Sequence, residues 1–199
     1  MNLDLYNTPA QQARLNAARI GIAGAGGLGS NCAHHLVRAG VAWLKIVDFD
    51  TVSESNLNRQ FYFPDQLGQF KVEALRDNLK RLNPELEVEA IRDRLTPDNT
   101  AAIFADCDIV VEAFDVAENK HMLITRLLAT GKKIVGASGL GGFGASNEIK
   151  INTYGSNLWI IGDLVRGVGG DCQPHSPRVG IAAAMQANTV AAIILGEEI

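Results

Sequence analysis

The chain has 199 residues, enough for one domain with a sizeable core, and its net charge of −4 gives no bulk attraction for nucleic acid. No apolar run reads as long enough to cross a bilayer, and the N-terminus lacks the basic-then-apolar order of a secretory leader. The three cysteines, Cys32, Cys107 and Cys172, are odd in number, far apart and without a C-x-x-C pair. That argues against a disulfide framework and a four-ligand structural zinc, and points to a reducing, cytoplasmic compartment.

A polar, proline-containing start leads into a predicted helix around Gln11 to Ala17. Arg19 to Ala23 reads as the first strand. It runs into Gly24-Ala25-Gly26-Gly27-Leu28-Gly29, and the helix Leu28 to Ala39 follows. Gly24, Gly26 and Gly29 have G-x-G-x-x-G spacing between a strand and a helix. Glycines permit a tight turn and close backbone approach, and the free N–H groups at a helix start face negative charge. A nucleotide phosphate near Gly26 and Gly27 is therefore expected. A tight strand–helix turn with no ligand is the competing reading, and the motif does not choose between NAD, FAD and ATP.

Trp43 to Val47 is a second predicted strand, ending at Asp48-Phe49-Asp50. Asp48 follows the glycines by about the twenty residues expected of a ribose-binding acid. Ser53 to Gln60 is polar, with neither strand nor helix period, and longer polar connections tend to carry function. In it, Arg59 offers a fork of donors suited to phosphate oxygens, and Asn56 can donate to an oxygen as well. A surface ion-pair role for Arg59 is equally compatible with the sequence.

Phe70 to Leu82 has helical spacing, with Lys71 in the first turn, where the helix dipole disfavours a cation. Lys71 either points at a polyphosphate or is simply solvated. Leu86 to Ile91 alternates like a strand near a sheet edge, and Thr96-Pro97 reads as a capped helix start continuing through Ala101 to Ala105. Asp108 to Ala113 contains the buried run Ile109-Val110-Val111, and Asp115 lies just beyond its carboxyl end. A lone carboxylate there suits Mg²⁺ held jointly with phosphates, or an N-cap for the helix Ala117 to Ala129.

Lys133 to Ala137 is another strand. Gly139 to Gly144 reads as a flexible cluster, and Glu148 to Thr153 and Asn157 to Ile161 as a hairpin around Tyr154-Gly155-Ser156. Gly162 to Ser176 reads as a mobile loop, and Ser176-Pro177 opens a last helix through Leu195. Its many alanines suit close packing, including across a subunit interface. The expected fold class is α/β: a Rossmann-like, mostly parallel sheet flanked by helices, with an antiparallel extension near the C-terminus, in a single domain over residues 1–199.

Together, the glycine turn, Asp48-Phe49-Asp50-Thr51-Val52, Ser55-Asn56-Leu57-Asn58-Arg59-Gln60, Lys71 and Asp115 resemble the ThiF/MoeB/ubiquitin-activating-enzyme superfamily, from about Ile20 to Gly196. Pro177 to Ala183 and Gln186-Ala187-Asn188 look like the short ThiF-type proteins of thiamine biosynthesis. The resemblance implies a homodimer that uses ATP and Mg²⁺ to adenylate the C-terminal glycine of a small ubiquitin-like sulfur carrier ending in Gly-Gly, releasing pyrophosphate. It implies a nucleotide-binding set of Gly24, Gly26, Gly27, Gly29, Asp48, Asp50, Ser55, Asn56, Arg59, Gln60 and Lys71. Arg59, Lys71 and Asp115 would act in catalysis, with Asp115 the Mg²⁺ ligand and Cys172 a candidate thiol for sulfur or acyl transfer. Arg166, His175 and Arg178 are near Cys172 in sequence, and an ordinary loop thiol is the plainer reading of that residue.

The chain departs from the family in one place that bears on activity. Relatives commonly carry an arginine in the N-terminal segment that reaches a partner's nucleotide, whereas here Leu5-Tyr6-Asn7-Thr8-Pro9 has none and Arg14 reads as the outside of a helix. Two alternatives stay open at this level: a non-catalytic nucleotide-binding relative, and an NAD-dependent oxidoreductase using the same glycines and Asp48. The second leaves Ser55 to Gln60 and Lys71 without a role.

Overall fold

The computed structural model describes residues 6–199, so that of the arginine-free N-terminal segment Leu5 lies outside the described residues. Seven strands form one sheet: β1 (Ile20–Ala23), β2 (Trp43–Val47), β3 (Glu87–Ile91), β4 (Ile109–Glu112), β5 (Lys133–Ala137), β6 (Lys150–Tyr154) and β7 (Leu158–Gly162). Their order is β3-β2-β1-β4-β5-β7-β6, parallel except where β6 pairs antiparallel with β7. The order reverses between β1 and β4, which opens a crevice at the carboxyl ends of those strands, the usual ligand position in such sheets. The helices are α1 (Pro9–Ala17), α2 (Gly27–Ala39), α3 (Lys71–Leu82), α4 (Thr100–Ile103), α5 (Ala117–Leu128) and α6 (Ser176–Leu195).

Alternate strand residues feed two cores. Ile20, Ile22, Leu44, Ile46, Val111 and Val135 pack with α1, α2, α3 and α6, whereas Ala23, Val47, Val110 and Ile134 pack with Phe104, Leu123 and Leu127 on the opposite face. A helix layer on both faces explains why the central strands read as continuous apolar runs rather than as alternating ones.

Several expectations change. The helix expected from Thr96-Pro97 is confined to Thr100–Ile103. Thr96 and Asn99 exchange bonds (Asn99 N to Thr96 Oγ1, 3.3 Å; Thr96 N to Asn99 Oδ1, 2.8 Å) and so close a turn ahead of it. Val116, not Asp115, occupies the N-cap position of α5. The Gly162 to Ser176 segment, read as mobile, is laced to the glycine cluster: Gly141 N donates to Arg166 O and Gly142 N to Gln173 O, both at 2.9 Å. Arg178, 1% exposed, completes that lacing by donating to the carbonyls of Gly139, Gly144 and Ala145 and to Asp163 Oδ2. Burial alone would raise the Asp163 carboxyl. The N–H groups of Arg166 and Val165 and the Arg178 guanidinium outweigh it and hold Asp163 below the usual carboxylate range.

α6 is, contrary to expectation, long and apolar enough to cross a membrane by length and composition. Its composition has a local cause. α6 makes its most extensive helix contact with α2, and Ala182, Ala183, Ala187 and Val190 share the core with Cys32, Ala33, Leu36 and Val37. The alanines thus let two helices of one chain approach closely.

Two glycine substitutions should move stability in opposite directions. A Cβ at Gly29 runs into the Gly24 carbonyl oxygen, so Gly29→Ala should destabilise by about 1–3 kcal/mol. A Cβ at Gly180, inside α6, meets nothing within 4 Å, so Gly180→Ala should stabilise by about 0.5–1 kcal/mol. Urea unfolding of the two variants checks both signs.

Candidate nucleotide site

The β1–α2 turn is set by its glycines. Gly24 has φ +100°, where a side chain is strained, and its N–H extends the sheet by bonding Val47 O at 2.9 Å. Gly26 occupies the N-cap of α2 and makes no side-chain capping bond, which leaves the helix start open to an external acceptor. Gly29 allows the first turn of α2 to close onto Gly24.

Asp48, at the end of β2, is bound to this turn. One carboxylate oxygen accepts the Ala25 N–H at 2.7 Å, and the other accepts the Asp50 N–H at 2.8 Å. Asp50 in turn pairs with Lys71 (Oδ2–Nζ 3.0 Å), and its backbone oxygen accepts the Lys71 N–H at 2.9 Å. The Lys71 side chain is 8% exposed, so the cation is neither solvated nor free; its partner carboxylate remains half-exposed.

The polar stretch folds into a short 3₁₀ turn, Glu54–Asn56, followed by a strap over the start of α2. Asn56 Oδ1 accepts the Ser53 N–H at 3.0 Å, and the Ser53 and Ser55 hydroxyls bond each other at 3.0 Å. Arg59 forms no ion pair among the described residues. Its Nη1 donates to Ser55 O (2.9 Å) and Asn58 Oδ1 (2.7 Å), and its stem lies over Gly27, 3.4 Å from where a Cβ would sit. Asn31 Nδ2 donates to Arg59 O (2.8 Å), and Phe61 N donates to Ser30 Oγ (3.0 Å). Gln60 is 9% exposed, faces Gly26, and its Oε1 has no bonding partner. That oxygen is an acceptor and would take a donor, whereas the uncapped helix start and Gln60 Nε2, which faces Gly26, would take an acceptor such as a phosphate oxygen.

Asp115 is exposed in the turn after β4 and has no bonded partner among the described residues. No three His, Cys, Asp or Glu side chains gather as a metal site among the described residues. Magnesium does not need such a cage, because one carboxylate and phosphate oxygens suffice with water.

Cys172 is half-buried against the glycine cluster, its Sγ close to Gly141. The three basic residues near it in sequence are committed elsewhere. Arg178 is spent on Asp163 and carbonyls, Arg166 on Asp163 and Phe143 O, and His175 stacks on Phe143 at 3.8 Å. The electropositive setting expected around this thiol is not formed by them. Cys32 and Cys107 are core thiols. Burial pushes both up, Cys107 to about 12. Arg14 is exposed on α1, and its Nη1 donates to Leu195 O at the end of α6.

The sequence did not disclose the Glu112–Lys120 pair. Glu112, 0% exposed, closes β4, and Lys120 Nζ meets both of its oxygens (3.1 and 3.0 Å) and Ala137 O (3.0 Å). Glu112 Oε1 also accepts the Phe114 N–H at 2.7 Å, one residue before Asp115. Burial raises the Glu112 carboxyl against the pull of Lys120. The only signal in the sequence was an acid ending an apolar run, which demands a partner without saying which.

A doubly wound sheet with an uncapped helix start, a carboxylate just beyond the second strand and two cations near its switch point defines a Rossmann-type α/β domain with a candidate nucleotide site. The chain belongs to the ThiF family, whose model matches residues 1–199. It is 39% identical over 145 residues to the adenylyltransferase and sulfurtransferase UBA4 of Candida glabrata, covering 72% of this chain and 34% of that protein. With the adenylyltransferase and sulfurtransferase MOCS3 of Culex quinquefasciatus it shares 36% identity over 130 residues, 65% of this chain and 30% of that protein. The chain thus spans about a third of the length of these curated relatives. Its fold matches the E. coli tRNA N6-threonylcarbamoyladenosine dehydratase TcdA, solved with AMP, with a TM-score of 0.88, 21% identity, and coverage of 98% of this chain and 92% of that one.

Removing Lys120 leaves a buried carboxylate uncompensated, so Lys120→Met should cost about 3–5 kcal/mol, and adding Glu112→Gln should recover most of it. The Glu112 carboxyl lies above its unfolded value, so the folded state takes up the extra proton as pH falls. The deficit of Lys120→Met should therefore be smaller at pH 5 than at pH 8, as followed by denaturant unfolding.

Proposed function

We propose that this chain is an adenylyltransferase: with ATP, it adenylates the C-terminal glycine of a small ubiquitin-like carrier protein and releases pyrophosphate. The observation that carries the reading is the open start of α2, with Arg59 lying over Gly27, Gln60 Nε2 facing Gly26 and Lys71 held nearby by Asp50. In this reading Asp48 holds the ribose through the acceptor capacity left by its two backbone bonds. The N–H groups at the start of α2, with Asn56, Arg59, Gln60 and Lys71, receive the phosphates. Asp50 and Ser55 support them, Asp50 by holding Lys71 and Ser55 by holding Arg59.

The chemistry asked of these residues is electrostatic. A carrier carboxylate oxygen bonds to the α-phosphorus, the bond from that phosphorus to the bridging oxygen breaks, and pyrophosphate leaves with the electron pair. Both reactants are anionic, so cations must offset their repulsion. Arg59 and Lys71 supply two, and no general base is needed because a C-terminal carboxylate is ionised at neutral pH. Asp115 would hold Mg²⁺, which supplies further charge neutralisation at the phosphates.

Support for adenylyl transfer comes from the relatives named as adenylyltransferases and sulfurtransferases, and the carrier as acceptor rests on the sequence resemblance. The thiamine pathway rests on the C-terminal sequence pattern alone. Two of that pattern's polar residues serve folding: Arg178 ties loops, and Gln186 donates to Glu112 O and Val135 O. We therefore carry the proposal at the level of a ubiquitin-like carrier, with a cytoplasmic homodimer as its setting. Cys172 is given no part in adenylation.

The test is ATP–pyrophosphate exchange with Mg²⁺ and carrier proteins ending in Gly-Gly. Carrier-dependent exchange should fall about a hundredfold or more in Arg59→Ala, Lys71→Met and Asp115→Ala. Measurable ATP binding without exchange, for every carrier tried, would contradict the adenylation reading and favour a nucleotide-binding relative without turnover.

A further inference from the structure

Tyr62 was not among the residues the sequence singled out. It is 6% exposed, and its hydroxyl lies 2.7 Å from Ala25 O in the glycine turn and 3.3 Å from Lys71 O at the start of α3. A phenol has one proton to give, and the shorter contact takes it, so Tyr62 donates to Ala25. Burial, then the nearby Asp48 and Asp50 carboxylates, push the phenol pKa well above its ordinary value, which keeps that proton in place.

Ala25 is therefore held at both ends. Its N–H goes to Asp48 Oδ2 and its carbonyl takes the Tyr62 proton. The peptide from Ala25 to Gly26 includes that carbonyl, so its orientation sets the direction of the Gly26 N–H that follows. Tyr62 is also the far anchor of the strap. Arg59 O is held by Asn31, Phe61 N by Ser30, and the chain then enters the core at Tyr62, which fixes Arg59 over Gly27 and Gln60 against Gly26. A phenylalanine would keep the ring packing and lose only this link between the turn, the strap and α3.

We propose that Tyr62 is a positioning residue: its hydroxyl sets the peptide plane at Ala25 and so aims the backbone donors of the glycine turn at a polyphosphate, without itself touching the ligand. This rests on the nucleotide-binding reading above. It makes the phosphate part of the site, rather than the base or ribose part, dependent on a side chain from the strap.

The full chain carrying Tyr62→Phe tests it, with two readouts. Calorimetric titration should show ATP affinity about five- to tenfold weaker, the scale of one lost hydrogen bond, with adenosine affinity unchanged. The Gly26 amide resonance, measured without nucleotide, should shift while those of the central strands stay in place, because that N–H shares a peptide plane with the Ala25 carbonyl. Equal loss of ATP and adenosine binding would mark a general structural role and overturn the inference. An unmoved Gly26 amide resonance would overturn it whatever the nucleotide does. A wild-type chain that binds no ATP would defeat the nucleotide reading instead, and the Gly26 amide resonance would still judge Tyr62.

Discussion

The Asp48 carboxylate joins the two halves of the carboxyl edge. One oxygen is committed to the β1–α2 turn through Ala25 and the other to the loop after β2 through Asp50. From Asp50 the connection passes to Lys71 and so to α3, and from Ala25 to Tyr62 and so to the strap. Each oxygen has accepted one N–H, so acceptor capacity remains on both for hydroxyl groups of a ligand.

Charge at the crevice is arranged unevenly. Lys71 is buried and paired with a half-exposed acid, whereas Arg59 bonds only neutral acceptors. A polyphosphate entering here would meet Arg59 without displacing an ion pair and would compete with Asp50 for Lys71. The pair keeps an unliganded lysine from being buried alone, an expensive state. On the other side of the switch point, Glu112 and Lys120 fasten the turn that carries Asp115, leaving its carboxylate exposed at the same edge.

Much of this was legible in the sequence because it is local. Glycine spacing, the apolar runs of β1 and β4 and the helical period of α3 each fix an element from a few neighbouring residues, and the predicted hairpin is formed by β6 and β7. What the sequence did not disclose is made by contacts distant along the chain. Tyr62 reaching Ala25, Arg178 reaching Asp163 and Lys120 reaching Ala137 have no periodic signature. The same limit explains the misread loop. Gly162 to Ser176 is poor in apolar residues and rich in glycine, yet its Asp163 carboxylate is held by Arg178 of α6, which also bonds the Gly139 and Gly144 carbonyls of the glycine cluster. The alanines of α6, whose composition suits close packing, are partly used within the chain, against α2.

In the proposed function the open start of α2 receives the phosphates of ATP. The most direct measurement is a nuclear magnetic resonance titration of the labelled chain with ATP and Mg²⁺, following the amides of Ala25 to Gly29 and the Gln60 side-chain amide. These signals should shift together and saturate at one affinity, with pyrophosphate moving the Gly26 and Gly27 amides in the same direction. Saturable ATP binding that leaves these signals in place while moving others would contradict it.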